Sequence, residues 1–118
     1  MIPLSFAEDV RRLLDEKETD QDVVLNHRKD TLIRNMCNNI EVLYADVDAE
    51  KCGVVLDPPN GRLVFQIECF NLITEYGTKS IFYTLVKQAD AFRFINVGHD
   101  DLIRIDLYVE NVWVYSDE

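Results

Sequence analysis

The chain has 118 residues, 47% hydrophobic and 29% charged, with a formal net charge of −10. A chain of this size forms one domain, spanning 1–118, and buries roughly two-thirds of its unfolded surface, so it needs no disulfide or metal to fold. The acidic balance excludes the basic stripe needed for direct nucleic-acid binding, and the absence of a basic leader or long apolar run sets the expectation of no signal peptide, no membrane-spanning helix and no membrane partner.

In chain order, Ser5 and Glu8 make an S-x-x-E capping box. Phe6, Val10, Leu13 and Leu14 follow at helical spacing, with Arg11, Arg12, Asp15 and Glu16 on the other face, which predicts a helix over 6–17. A polar connector covers 18–22. Val23-Val24-Leu25 is a short apolar anchor with no pattern of its own, and joining it to the next helix is one option. Asp30 is a good N-cap for a second helix over 30–47, in which Leu32, Ile33, Met36, Cys37, Ile40, Leu43, Tyr44 and Val47 form one stripe. Ile40, Val42 and Tyr44 also alternate, so a strand over 40–47 competes. A loop over 46–53, a short strand over 53–56 and a firm turn at Asp57-Pro58-Pro59-Asn60-Gly61 complete this half.

The stretch 62–115 reads as a meander of four strands. The first covers 62–74, with Leu63, Phe65, Ile67 and Cys69 on one parity and a bulge near 69–71 where the phase breaks; a turn at 76–79 follows. The second covers 80–87, apolar on both faces and rich in β-branched and aromatic residues; a helix over 80–91 is its competitor. The third covers 92–97 between turns at 88–90 and 98–101. The last covers 102–115, bent or overhanging, with Ile103, Ile105, Leu107, Val109 and Trp113 as a core-facing row. The fold class is therefore α+β: two N-terminal helices packed on a mostly antiparallel four- to five-stranded β-meander sheet. A small, partly closed barrel with the helices at one end is the alternative.

Little here carries chemistry. Cys37, Cys52 and Cys69 are odd in number and form no C-x-x-C, which points to reduced core thiols in a cytoplasmic protein. Asp46, Asp48 and Glu50 alternate as cation ligands sometimes do. However, Lys51 stands where an EF-hand needs glycine and Asp57 where it needs the bidentate glutamate, so a solvated helix end is preferred. His99-Asp100-Asp101 fits turn chemistry better than general-base catalysis. A Cys–His pair using His27 or His99 has no local support. All four glycines lie at turns or a strand start, which leaves none for a phosphate cradle. No catalytic residue, metal or cofactor is expected.

An apolar excess on the second sheet face is the remaining feature. Val64 and the candidate interface residues Phe82, Val86, Tyr108, Val112 and Val114 lie there if registers are simple, with Trp113 and Tyr115 as anchors near the chain end. Either the sheet curls to bury them, or they meet another protein or a second copy. Three functions stay open. The first is a non-enzymatic protein-binding module acting as inhibitor, immunity protein or chaperone, a basic protein being the electrostatic match. The second is a self-associating structural or regulatory homodimer. The third is a small enzyme or ligand-binding domain with a pocket between helices and sheet. In size, charge and layout the chain resembles type III secretion chaperones, toxin-immunity proteins and phage-encoded inhibitors, with no motif behind the likeness.

Overall fold

The computed structural model describes residues 6–20, 23–46, 49–70, 83–96 and 102–115. Helix α1, Phe6–Asp20, buries Phe6, Val10 and Leu14 at four-residue spacing and places Glu8 and Asp9 in its first turn, where carboxylates favour the helix dipole. It runs three residues past the expected end. The Glu18 carboxylate accepts a hydrogen bond from the Leu25 amide at 2.9 Å, tying the end of the helix to the segment after it. Ser5, half of the anticipated capping box, lies outside the described residues.

Helix α2, Asp30–Asp46, settles the competition over 40–46 in favour of the helix. Ile33, Met36, Cys37, Ile40 and Leu43 are buried along one stripe, whereas Val42, which strand alternation would have put with Ile40, is 47% exposed. A single 3-10 turn at His27–Lys29 leads into it, capped by the Asn26 side chain, which accepts from the Arg28 amide.

Six strands are described: β1 Val23–Leu25, β2 Ala49–Asp57, β3 Arg62–Phe70, β4 Ala91–Asn96, β5 Leu102–Val109 and β6 Trp113–Tyr115. The apolar anchor at 23–25 is thus a strand, paired antiparallel with β6 in a two-stranded sheet. The other four form one open antiparallel sheet in the order β2-β3-β5-β4, with no closure into a barrel. The β2–β3 hairpin turns through Pro58–Asn60 and Gly61, whose φ of 71° is the left-handed conformation that glycine adopts without strain. A Cβ there would sit 3.0 Å from the Trp113 carbonyl oxygen.

Two expectations for 62–115 are corrected. Residues 83–88 are helical, not a strand; they are called α3 below. Leu85 is fully buried and Ala89 packs against the core one helical turn on, while Tyr83 faces out under the Lys87 ammonium at 5.4 Å. Topology requires the crossover. Strands β3 and β4 are each antiparallel to β5, hence parallel to one another, and parallel strands need a connection of a dozen or more residues that usually contains a helix. The connectivity is therefore not a simple meander, because β5 inserts between β3 and β4. The turn expected at 76–79 falls outside the described residues, and of the bulge expected near 69–71, Cys69 and Phe70 continue the β3–β5 register without a shift while Asn71 lies outside them.

The last strand is also not continuous. It breaks after Val109, where Asn111 takes a φ of 58°, and β6 leaves for β1. The Gly61 carbonyl accepts from the Val112 amide at 2.6 Å and the Asn26 amide donates to the Val112 carbonyl at 2.8 Å. This bend lets consecutive Val112 and Trp113 both be buried, which an unbroken strand with alternating faces would not allow.

Among the described residues, buried side chains from α1, α2, α3, β1, β3, β5 and β6 form one cluster, against which half-buried Cys52, Val54 and Leu56 of β2 pack, and β4 supplies none. The expected core row of β5 holds, with Ile105, Leu107 and Val109 fully buried and Ile103 packed at the margin. Opposite them across β3 stand Leu63, Phe65 and Ile67, and the Phe6 ring of α1 lies 6.4 Å from that of Phe65.

Candidate protein interface

On the sheet face away from this core, the central residue is Asp106 of β5, only 2% exposed. Arg93 of β4 stands directly opposite it and donates to Oδ2 at 3.3 Å; Arg104 donates to Oδ1 at 3.1 Å and Oδ2 at 3.4 Å. A carboxylate sheltered this way needs such partners, because unpaired burial of a charge is very costly. On the same face Tyr108 lies opposite Val64, with the Arg62 guanidinium 5.3 Å from its ring centre and Arg62 also bonded to Asp57. This face is thus largely polar and self-satisfied, not the apolar surface its sequence suggested.

The seven candidate interface residues do not share one surface. Tyr108 and Val64 are neighbours, as expected. Val86 belongs to α3 and packs against the core. Val112 and Trp113 are buried within the chain itself, Trp113 Nε1 lacking a hydrogen-bond partner among the described residues. Val114 is exposed on β6, paired with Val24 of β1, also exposed. Tyr115 pairs through its backbone with Val23, and Phe82 lies outside the described residues.

The structure instead draws attention to two residues that the sequence did not single out. Phe92 and Phe94 of β4 pair with Leu107 and Ile105, so they lie on the core side of the sheet. Their neighbours on β5 are fully buried, yet Phe92 is 48% and Phe94 53% exposed. Among the described residues, the core cluster ends before β4, which is the outermost strand of the sheet. The two rings stand edge to face, centroids 5.5 Å apart. The start of β4 is clamped: the Asp90 amide donates to the Tyr108 carbonyl at 2.9 Å, the Asp90 carboxylate accepts from the Glu110 amide at 2.7 Å, and Lys29 reaches it at 3.3 Å. An exposed sheet edge is where a strand from another chain can be added.

The groups considered for chemistry are arranged differently. Burial, with Glu41 nearby, pushes the Cys37 thiol up to about 12 and that of Cys52 up to about 11, so both are protonated and poorly nucleophilic near neutral pH. Exposed His27 lies 3.0 Å from Asp30, which also accepts from Arg11 at 2.8 Å, a surface ion cluster at the start of α2. His99 and Asp48 are outside the described residues. Among the described residues no three His, Cys, Asp or Glu side chains gather as metal ligands would, and no helix is long and apolar enough to cross a membrane. An open groove of about 320 Å³ runs between α1 and α2, floored by Leu14, Ile33 and Cys37 and rimmed by Arg11, Asp30 and Arg34. It lies between the helices, not between helices and sheet, and its rim mixes both signs of charge.

Comparison of the chain with protein-family models, curated proteins and solved structures finds no match.

Proposed function

We propose that this chain is a non-enzymatic protein-binding module that engages another polypeptide by strand addition along β4. The observation that carries this reading is the half-exposure of Phe92 and Phe94 on the outermost strand, directly beside fully buried Leu107 and Ile105. An added strand would satisfy outward-pointing backbone groups and extend the aromatic row, giving affinity from the main chain and specificity from the side chains. The protonated state of the two described thiols and the mixed rim of the α1–α2 groove give an enzyme or a charged small ligand less support.

Immobilised chain is the test. The parent is expected to retain a polypeptide, of its own sequence or another, in near-equimolar amount. The double variant Phe92→Ser, Phe94→Ser is expected to lose it while keeping the parent's far-ultraviolet circular dichroism. Equal retention by both chains, or by neither, would reject β4 as the docking edge.

A further inference from the structure

Resting on that reading of the β4 edge, we infer that its occupant is a second copy of this chain, paired antiparallel about a two-fold axis at Arg93. The strand reads Ala91-Phe92-Arg93-Phe94-Ile95-Asn96, with two phenylalanines placed symmetrically about one arginine. A two-fold axis perpendicular to the sheet keeps each face on its own side, and directly opposed residues in an antiparallel pair share a face. Centring the axis on Arg93 therefore sets Phe92 against Phe94 of the partner subunit, twice. Four rings, already edge to face in pairs within each chain, then close over one another on the core side. On the other face the same register sets small Ala91 against large Ile95 twice.

Charge separates this occupant from the others. Arg93 is the one ionisable residue in β4, and it is bonded to nearly buried Asp106 at 3.3 Å. A basic foreign strand would bring its cations against Arg93. An acidic one would set its carboxylates beside Asp106, which Arg93 and Arg104 already pair. A second copy presents a strand with no acid on it, whose one cation is already partnered by its own Asp106. The two Arg93 side chains meet at the axis, each held back by that carboxylate. A register centred on Phe94 would retain only one Phe–Phe pair and oppose Arg93 to Ile95, so it is the poorer alternative.

Sedimentation velocity on the full chain across micromolar concentrations reads the assembly, and mild oxidation of the Arg93→Cys variant reads the register. The parent is expected to dimerise. Phe92→Ser and Phe94→Ser should each weaken the dimer about tenfold or more, as central aromatic anchors do. Val24→Ser, on the exposed face of β1, should leave it unchanged. Arg93→Cys should yield a disulfide-linked dimer that the parent, with its native thiols, does not form, because only the Arg93-centred register opposes that position to itself at bonding distance. A monomer at every concentration overturns the inference; if that monomer still retains a foreign protein that Phe92→Ser loses, the strand-addition reading survives alone. A dimer indifferent to both phenylalanine substitutions and giving no cross-link overturns the inference and removes β4 from the assembly. A dimer weakened by both substitutions without the cross-link overturns the register and with it the inference as stated.

Discussion

The sheet has two edges, and they are built differently. At one edge β2 is long, Ala49–Asp57, but its register with β3 shifts between Ala49 and Lys51, it contains Gly53, and it runs straight into Pro58. Its end is fastened by Asp57, whose carboxyl is held below the usual range by hydrogen bonds from Asn60 and Arg62. Irregular register, glycine and a following proline are devices that blunt an edge against pairing. At the other edge β4 is short and regular, without glycine or proline, and sets two phenylalanines half in solvent. Guarding one edge and leaving the other apolar is the asymmetry expected of a sheet that extends in one direction only.

The largest effect comes from the layer both edges share. Phe65 is fully buried at the centre of β3, against Phe6, and Phe65→Ala should cost about 4 kcal/mol through lost burial and the cavity left behind. Urea melts should show it. A loss below about 1 kcal/mol would mean that α1 does not seal this part of the sheet.

A smaller effect should fall on one edge alone. Asp106→Ala leaves Arg93 and Arg104 without their shared carboxylate, and the pairing that fixes β4 to β5 loses its polar anchor. Breaking a buried ion pair costs several kcal/mol, but Arg93 is largely exposed and Arg104 partly so, which reduces this to about 2 kcal/mol. Amide hydrogen exchange should then quicken in β4 while β2 and β3 keep their protection. Uniform quickening would show that the network serves the whole fold and not the β4 edge.

These residues also mark how far the sequence could be read. The helical stripes of α1, apart from exposed Leu13, and of α2, the odd-numbered row of β5 and the turn at 57–61 were legible, because each signal lies within a few residues. The strand β1 was not, since its partner β6 lies some ninety residues away and three residues carry no periodicity of their own. The strand expected at 80–87 failed for a related reason. Its apolar run suits either element, and only the strand order, a non-local property, calls for a crossover helix. Phe92 and Phe94 were hidden by the same limit. Their alternation is that of any core-facing strand, and what exposes them is their place at the end of the order. A short strand with both aromatics on one parity, opening straight after a polar turn, was the available hint. Asp106 was equally hidden, its parity being the polar one and its burial supplied by arginines on two strands.

At the guarded edge, Gly61→Ala should cost about 1–2 kcal/mol, the penalty for an L-residue in the left-handed region. The added methyl would also press the Trp113 carbonyl at 3.0 Å, and the Gly61 carbonyl anchors Val112, so the loss should spread to the β1–β6 pair. Trp113 fluorescence during thermal melting reads both consequences at once. An unchanged melt would mean that the hairpin relaxes freely, and that β2 owes its bluntness to its bulge and not to this turn.

The smallest effect concerns ionic strength and the apolar edge. If β4 meets a second copy, two bodies of net charge −10 approach one another, and their mutual repulsion acts over about 30 Å in 0.01 M salt but only about 10 Å in 0.1 M salt. The contact itself is apolar, apart from two arginines that are each bonded to Asp106 of their own chain, a carboxylate shared with Arg104. Salt should therefore screen the repulsion without weakening the contact, and the dimer should tighten by on the order of a few-fold between those conditions. An edge joined by ion pairs across the two chains would respond in the opposite sense, since screening would strip away its attraction. Sedimentation velocity at fixed protein concentration in the two buffers distinguishes the signs. A dimer that loosens as salt rises would place its adhesion in charged groups and would make the two phenylalanines bystanders.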